Sequence, residues 1–163
     1  MIISYQNIET ELKKLKGKKT LIGGCFDVFH YGHLDFIKKS AAVSRHLIIA
    51  LEPDEFIIKI KKRSPVHTQD QRAEILDALL YTSVVVKLPI MQGYKDYLKL
   101  TLKIKPDFIA ATEGDPQIVN KKKQAEKAGA KLVVVNKIIK PFSTSYIIKS
   151  YENLYRNRDT SKS

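Results

Sequence analysis

The sequence predicts one α/β domain whose five-stranded, mainly parallel sheet carries helices on both faces. Three observations support this prediction. The chain has 163 residues, which suffices for one domain with a sizeable core. Short apolar runs alternate with segments of helical periodicity along the chain. The run HLIIAL at 46–51 is almost continuously apolar, which is typical of a parallel strand buried on both faces.

The first part of the chain predicts two strands and three helices. Residues 5–16 place Ile8, Leu12 and Leu15 at helical spacing, which indicates a short lead-in helix that Gly17 can end. The elements that follow are a strand at Lys18–Gly23, a helix at Leu34–Ser44, a strand at His46–Leu51 and a short helix at Asp54–Ile60. Pro53 ends the second strand.

A basic loop, KIKKRSPVH at 59–67, separates this part from the rest, because it contains a proline and has no apolar period. Thr68 or Asp70 can cap the next helix, which runs to about Leu80. The remaining elements are strands at 83–88, 107–112 and 131–136 and helices at Tyr94–Ile104, 117–128 and Thr144–Tyr155. Residues 1–155 are thus expected to form the domain, and the polar residues 156–163 a flexible tail.

Composition excludes several classes of protein. No apolar run approaches the roughly 20 residues that span a bilayer, and the N-terminus lacks a signal pattern, so we expect a cytoplasmic protein without membrane contact. The single cysteine, Cys25, excludes an internal disulfide framework and a multi-cysteine zinc site. The net charge of +12 indicates either a solvated lysine-rich surface or attraction of polyanions, namely nucleotides, phosphorylated substrates or, as the weakest alternative, nucleic acid. No aromatic-basic repeat indicates a nucleic-acid platform, so no nucleic-acid partner is expected.

The stretch TLIGGCFDVFHYGHLDF at 20–36 carries the strongest chemical signal. It predicts a strand, a tight turn and a helix N-terminus, a junction at which α/β proteins bind anions. His30 and His33 bracket Gly32 at the start of the helix. Either one histidine caps the helix while the other packs on the sheet, or the two imidazoles and nearby N–H groups surround one point that suits a triphosphate. No third ligand at a familiar spacing supports a metal site.

Neighbouring residues in this stretch have alternative roles. Gly23 and Gly24 allow close backbone approach to a ligand. Asp27 either caps the loop or lies near a Mg²⁺ site, and the sequence assigns no metal ligand. Cys25 is better explained as a small packed residue than as a nucleophile.

The segment GGCFDVFHYGH at 23–33 resembles the GxFDxxHxGH motif of the cytidylyltransferase-like nucleotidyltransferases. The resemblance implies a Rossmann-like fold and transfer of NMP from an NTP to a phosphate, with release of pyrophosphate. It implies that His30 and His33 are catalytic and contact the nucleotide phosphates. The other implied nucleotide-binding residues of this segment are Gly23, Gly24, Cys25, Phe26, Asp27 and Gly32.

Three further segments extend the resemblance. RSPVHTQDQR at 63–72, and IKPD at 104–107 with the later EGD, resemble the bacterial heptose-phosphate adenylyltransferases and FAD synthetase-like proteins. STSYIIK at 143–149 resembles the superfamily's C-terminal motif, which implies that Ser143, Thr144 and Ser145 bind the β- and γ-phosphates at a helix N-terminus. Glu113, Gly114 and Asp115 either hold ribose or base or form a simple turn.

The basic loop and the helix after it supply candidate cations. The resemblance implies that one lysine of the loop closes over the triphosphate, and we assign this catalytic role to Lys61. Lys59, Lys62 and Arg63 are alternatives if they are not simply solvated. Arg72 either grips a phosphate of the acceptor bidentately or lies on the surface.

The chain also departs from its relatives. It reads LYTS at 80–83 and IIKPFSTS at 138–145, where the glycerol-phosphate cytidylyltransferases carry RYVD and RTEGISTT. Lys137 or Lys140 could replace a missing arginine.

The resemblance as a whole implies a Mg²⁺-dependent transfer from ATP or CTP to a phosphorylated acceptor. A sugar or polyol phosphate, such as heptose 1-phosphate or glycerol 3-phosphate, is the first choice of acceptor, and FMN is the alternative. A nucleotide-binding regulatory homologue without turnover, and a homodimer, stay open.

Overall fold

A computed structural model describes residues 1–139 and 142–159 of the protein. In this part of the chain, six parallel strands form one sheet in the order β1-β4-β3-β2-β5-β6. The strands are β1 (Ile2–Ser4), β2 (Lys19–Gly24), β3 (His46–Leu51), β4 (Val84–Lys87), β5 (Phe108–Glu113) and β6 (Lys131–Lys137). The predicted α/β class with a parallel sheet is confirmed.

Helices connect the strands. They are α1 (Ile8–Leu12), α2 (Tyr31–Ala41), the single turn α3 (Asp54–Phe56), α4 (Gln69–Asp77), α5 (Tyr94–Ile104), α6 (Ile118–Ala128) and α7 (Thr144–Asp159). Thr68 caps α4 through a reciprocal pair of hydrogen bonds with Gln71, which satisfies two backbone donors that a helix start would otherwise leave unpaired. No helix in residues 1–139 and 142–159 has the length and apolar character that crossing a membrane requires.

Several predicted features are wrong in detail, and one of them is the helix predicted at Leu34–Ser44, which forms three residues earlier as Tyr31–Ala41. The sheet has six strands rather than five, because Ile2–Ser4 adds an edge strand that is too short to show a pattern of its own. The lead-in helix predicted for 5–16 shrinks to a 3-10 turn and α1. The helix predicted for Asp54–Ile60 continues as a π-helical segment, Ile57–Lys61, after α3. The last helix ends at Asp159, so 156–159 of the expected tail are helical, whereas 160–163 lie outside the described residues.

Apolar side chains cover both faces of the sheet. Alternate residues of β3 point to opposite sides, so Ile48 and Ala50 pack with α1 and α5, while Leu47, Ile49 and Leu51 pack with α2 and α4. This double burial explains the continuous apolar run of β3.

The sheet opens beside β2. This strand pairs with β3 over its whole length, from Lys19 to Gly24, but with β5 only at Thr20 and Leu21. The order of connection also reverses here, because the chain leaves β2 toward β3 and β4 and later returns to its other side as β5. Such a switch point is where open α/β sheets form a ligand crevice.

Candidate functional site

A cavity of about 860 Å³ occupies the crevice beyond the carboxyl end of β2. Its walls come from the loop at 25–30, the basic loop, and the starts of α5, α6 and α7. Most of the predicted site residues line it, namely Gly23, Gly24, Cys25, Phe26, Asp27, His30, His33, Lys61, Asp115, Ser143, Thr144 and Ser145. The predicted residues that do not line it are Gly32, Arg72, Glu113 and Gly114.

The two histidines stack on each other at the start of α2. Their ring centroids lie 3.8 Å apart, and His30 is the N-cap, because its Nδ1 accepts the backbone N–H of His33 at 3.4 Å. His33 also packs edge-on against Phe26, with 5.2 Å between ring centroids. The first alternative raised by the sequence is confirmed in part, since His30 caps the helix and His33 is packed against an aromatic ring. Both histidines also line the cavity, and their contact with a triphosphate stays a prediction.

Burial keeps the histidine pair uncharged near neutral pH. Burial and then the adjacent His30 lower the pKa of His33 to about 3, although Asp27 opposes this shift. Burial also lowers the pKa of His30. Each neutral ring can donate one N–H to a phosphate oxygen, and a nearby anion would favour the charged form of the ring. Positive charge in the cavity is instead supplied by side chains such as Lys59 and Lys61.

Asp27 fastens the loop at 25–30 to the basic loop. Its carboxylate, which is almost fully buried, accepts the backbone N–H groups of Val66 and His67, each at 3.2 Å, and a hydrogen bond from the Arg63 guanidinium. Burial would raise the pKa of Asp27, but Arg63 and the two N–H donors together lower it. Of the two roles predicted for Asp27, the structure therefore places it in loop capping.

The start of α7 lies against the same loop. The Thr144 hydroxyl donates to the backbone carbonyl of Asp27 at 2.7 Å, and the Ser143 hydroxyl accepts the N–H of Tyr146 at 3.2 Å. Ser143 is thus an N-cap, as predicted, while it also faces the cavity. The helix start and the histidine pair border one space.

Gly32 lies close to both the His30 ring and the chain before α7, although it does not itself line the cavity. A Cβ at this position would lie 3.1 Å from ring atoms of His30 and 3.1 Å from the carbonyl oxygen of Phe142. Either the imidazole or the chain before α7 would have to move.

Gly32→Ala should therefore weaken nucleotide binding about tenfold, because small misplacements of positioned groups are costly. Isothermal titration with ATP and CTP measures this effect, and circular dichroism checks that the fold is kept. Lys38→Ala, on the exposed side of the same helix, is the matched control. Unchanged affinity in Gly32→Ala would mean that the close approach of Gly32 to His30 and to the Phe142 carbonyl does not matter for binding.

Arg72 does not occupy the predicted phosphate-binding position. Its guanidinium is buried and donates to the backbone carbonyls of Cys25 at 2.6 Å, Glu52 at 2.9 Å and His67 at 3.1 Å. It also pairs with the carboxylate of Asp54 at 2.6 Å. Both predicted roles of Arg72, phosphate binding and a surface position, are wrong. The side chain is buried, and its N–H groups bind protein oxygens, so Arg72 stabilises the segments that carry the cavity.

Of the three residues in the turn after β5 that were predicted either to hold ribose or base or to form a simple turn, only Asp115 lies at the cavity. Asp115 lines the cavity, where its carboxylate accepts the N–H of Gln117 at 2.8 Å and pairs with Lys121 at 2.6 Å. Glu113 is exposed and pairs with Lys137 at 3.4 Å, outside the cavity lining. Gly114 adopts a left-handed φ of 79° in this turn. Lys140, the other lysine considered as an arginine replacement, lies outside the described residues.

The structure adds cavity residues that the sequence prediction missed. They are mainly Glu52, Gln92, Tyr97, Asn120, Lys121 and Gln124, which follow β3 or lie just before or on α5 and α6. The signal that could have found Glu52 is its position directly after the buried strand β3, at the same edge of the sheet as the histidine loop.

The described residues do not form a metal centre of their own. No group of three or more histidine, cysteine, aspartate or glutamate side chains in 1–139 and 142–159 is arranged to hold an ion. The Asp27 carboxylate, the nearest acid to the histidine pair in the motif, is committed to Arg63 and the loop N–H groups. The residues present therefore do not fit a protein-built Mg²⁺ site.

The sequence is similar to those of several known proteins. The chain is 35% identical over 153 residues to the bifunctional protein HldE of Helicobacter hepaticus, which covers 93% of this chain and 30% of that protein. It is 37% identical over 92 residues to the FAD synthase of Pyrococcus abyssi, covering 56% and 60% of the two chains. The FAD synthase of Thermococcus kodakarensis is 34% identical over 116 residues, which cover 71% of this chain and 74% of that one.

The chain thus spans less than two thirds of the HldE and Pyrococcus relatives. Among solved structures, a lipopolysaccharide core biosynthesis protein from Thermoplasma volcanium matches with a TM-score of 0.61 and 19% identity, over 77% of this chain and 99% of that one. Pantoate-beta-alanine ligase from Francisella tularensis matches with a TM-score of 0.66 and 18% identity, over 86% and 68%. At these identities the structures show a shared fold, which confirms the Rossmann-like prediction.

The family model for cytidylyltransferase-like proteins matches residues 21–152. That range contains the stacked histidines and the start of α7, which together border the cavity. The chain belongs to the cytidylyltransferase-like family.

Proposed function

We propose that the protein transfers a nucleoside monophosphate from ATP or CTP to a phosphorylated acceptor and releases pyrophosphate. The stacked pair His30 and His33, which lines the same cavity as the start of α7, carries this proposal. Imidazole N–H groups from the one, and hydroxyls with backbone N–H groups from the other, suit the phosphates of a nucleotide.

In the proposed reaction an oxygen of the acceptor's phosphate attacks the α-phosphorus in line. A new P–O bond forms, the bond from the α-phosphorus to the bridging oxygen breaks, and pyrophosphate leaves with that oxygen. A phosphate monoester is already a competent nucleophile, so the residues need only position the two substrates and stabilise charge. His30, His33 and Lys61 are proposed as the catalytic residues, with Ser143, Thr144 and Ser145 at the β- and γ-phosphates.

Mg²⁺ is proposed only as the counter-ion that arrives with the nucleoside triphosphate. This ion commonly binds through substrate phosphates and water rather than through a cage of protein ligands.

Two classes of acceptor are supported by different observations. A sugar or polyol phosphate, such as heptose 1-phosphate or glycerol 3-phosphate, is supported by the HldE relative, whereas the segment 63–72 resembles both heptose-phosphate enzymes and FAD synthetase-like proteins. FMN follows from the two FAD synthase relatives. Reaction in the cytoplasm and a homodimer remain expectations of the sequence.

Release of pyrophosphate tests the reaction. Purified protein should release pyrophosphate from ATP or CTP only when a phosphorylated acceptor is added, and mass spectrometry should detect the nucleotidyl product. The rival proposal is a regulatory homologue that binds nucleotide without turnover. Nucleotide binding by titration, with no pyrophosphate from any of glycerol 3-phosphate, heptose 1-phosphate and FMN, would favour that rival.

A further inference from the structure

The lysine and arginine side chains that line the cavity come from two walls. Lys59, Lys61 and Arg63 belong to the basic loop, where Arg63 is already committed to an ion pair. In the described part of the chain, Lys121 on α6 is the one other lining side chain of this kind. The wall that α5 and α6 form therefore offers a ligand one positive charge.

This wall lies on the other face of the sheet from the histidine pair. The connection from β2 through α2 leads toward β3, whereas the connection from β5 through α6 leads the opposite way, toward β6. Right-handed crossovers that run in opposite directions place their helices on opposite faces. The packing agrees, because α6 contacts α5, which covers the face of Ile48 and Ala50, while α2 covers the other face. The chain before α7 belongs to the α2 side, since its Phe142 carbonyl and the His30 ring both lie close to Gly32.

The proposed reaction sets the direction of attack. In an in-line transfer the attacking oxygen and the leaving pyrophosphate lie on opposite sides of the α-phosphorus. With the β- and γ-phosphates held at the start of α7, pyrophosphate leaves on the α2 side, and the acceptor's phosphate enters from the wall of α5 and α6. The entering phosphate needs a cation of its own, because two phosphates repel each other.

Lys121 is held in a position to serve such a phosphate. Its Nζ donates to the Asp115 carboxylate at 2.6 Å, and 19% of its side chain is exposed. Asp115 is itself fixed by the backbone N–H of Gln117 at 2.8 Å. An ammonium group has three donors, and the other two of Lys121 have no partner in residues 1–139 and 142–159. They are free for the oxygens of a ligand.

The same face of α6 carries a second, independent sign of a ligand. Gln117, Asn120, Lys121 and Gln124 follow helical spacing, so they share one face, and all four line the cavity. Gln124 is 8% exposed, yet its side-chain amide makes no hydrogen bond within the described residues. Leaving a buried amide unpaired is costly, so a ligand group that bonds to it gains affinity. An amide both donates and accepts, as a hydroxyl does.

Two acids lie near Lys121. Asp115 orients it, and the charge of Lys121 also acts on Glu52. Burial raises the pKa of Glu52 to about 7, although the Tyr97 hydroxyl, Arg72 and Lys121 oppose this shift. Glu52 is therefore partly neutral near pH 7, and a bound phosphate would favour its neutral form further. It repels such a phosphate less than an exposed carboxylate would.

Resting on the proposed function, we propose that the inward face of α6 is the acceptor subsite. Lys121 binds the attacking phosphate of the acceptor, and Gln124, one turn further along, bonds a hydroxyl of the acceptor's body. Lys121 stays protonated throughout and transfers nothing. The contact with the acceptor's phosphate that the sequence predicted for Arg72 then belongs to Lys121.

The test of Lys121 measures acceptor binding by calorimetry. The α,β-methylene analogues of ATP and CTP, which cannot release pyrophosphate, are present, and the probes are glycerol 3-phosphate, heptose 1-phosphate and FMN. Lys121→Met should weaken the binding of these esters about 10–100-fold, the usual value of a charged hydrogen bond, and leave nucleotide binding within about twofold. Lys121→Arg, which keeps the charge, should recover most of the binding. Lys122→Met, an exposed neighbour outside the cavity lining, is the matched control.

Gln124→Leu tests the other half of the subsite. It should weaken the phosphate esters about fivefold, the value of one uncharged hydrogen bond, but leave the binding of inorganic phosphate, which has no body, unchanged. The midpoint of urea unfolding should not fall, because leucine replaces an amide that has no partner. A purely structural role of Gln124 would lower that midpoint and weaken both kinds of ligand alike.

The outcomes separate the subsite from the reaction. Ester binding that depends on Lys121, without pyrophosphate from any of the probes, would support the subsite and overturn the proposed transfer. Pyrophosphate release with an unchanged KM for the acceptor in Lys121→Met would support the transfer and overturn the subsite. A loss of nucleotide affinity of about tenfold in this variant would assign Lys121 to the nucleotide instead. Failure of every probe to bind the parent protein would also refute the subsite.

Discussion

His33→Asn is expected to lower kcat for nucleotidyl transfer by about 10²–10³-fold, the usual cost of removing one hydrogen-bond donor from a charge-stabilising site. His33 lines the cavity, stacks on His30 and lies at the junction of loop and helix. Asparagine keeps a polar group at this position but cannot place an N–H where the imidazole does. Steady-state assays of pyrophosphate release, with acceptor and nucleotide both saturating, measure the loss.

His33→Ala should show the same loss of turnover together with lower stability. The ring packs against Phe26 and Phe29, with centroid distances of 5.2 and 5.7 Å, so its removal leaves a gap. Comparing the alanine and asparagine variants separates chemistry from packing. His46→Asn, at the start of β3, is the control, because its ring bonds to the backbone carbonyl of Lys16 away from the cavity. Normal turnover in both His33 variants would refute the site.

Arg72→Met is expected to lower the free energy of unfolding by about 3–5 kcal/mol, because the buried guanidinium loses four hydrogen bonds that each contribute about 1 kcal/mol. The variant leaves Asp54 without its cation and three backbone carbonyls without their donor. Arg72→Lys should recover little, because an ammonium group cannot reach these acceptors with the planar fork of a guanidinium.

Urea unfolding followed by circular dichroism measures the stability of these variants. Arg45→Met, at an exposed position, is the matched control and should stay within about 0.5 kcal/mol of the parent protein. A change below about 1 kcal/mol in Arg72→Met would contradict the structural role, since the net value of even one hydrogen bond is of that size. The binding of nucleotide to the folded Arg72 variants shows whether the cavity survives without its support.

Much of the fold could be predicted from local patterns in the sequence. The apolar run of β3, the turn residues after β2 and the capping pair at Thr68 each depend on neighbours within a few positions, and each element formed near the predicted bounds. The edge strand Ile2–Ser4 could not be predicted from local patterns. It pairs in register with Val85–Lys87, more than 80 residues later, and its own three residues carry no period.

Local sequence patterns likewise reveal some residues of the candidate site and miss others. The histidines and the serine-rich helix start are recognisable because their spacing forms local motifs. Arg72 and Glu52 are not, since their roles depend on what surrounds them after folding. Arg72 lies in a segment that resembles phosphate-binding relatives, yet its N–H groups donate hydrogen bonds to carbonyls from three separate parts of the chain. Glu52 differs from exposed acids such as Glu55 through its burial and its position directly after β3.

Asp27 has a consequence for the entropy of ligand binding. Its side chain bonds the basic loop and its carbonyl accepts Thr144 of α7, so one residue connects three walls that are distant in sequence. Part of the ordering that a ligand would otherwise have to impose on those walls is therefore complete before the ligand arrives. Preorganisation of this kind strengthens binding without adding a contact to the ligand.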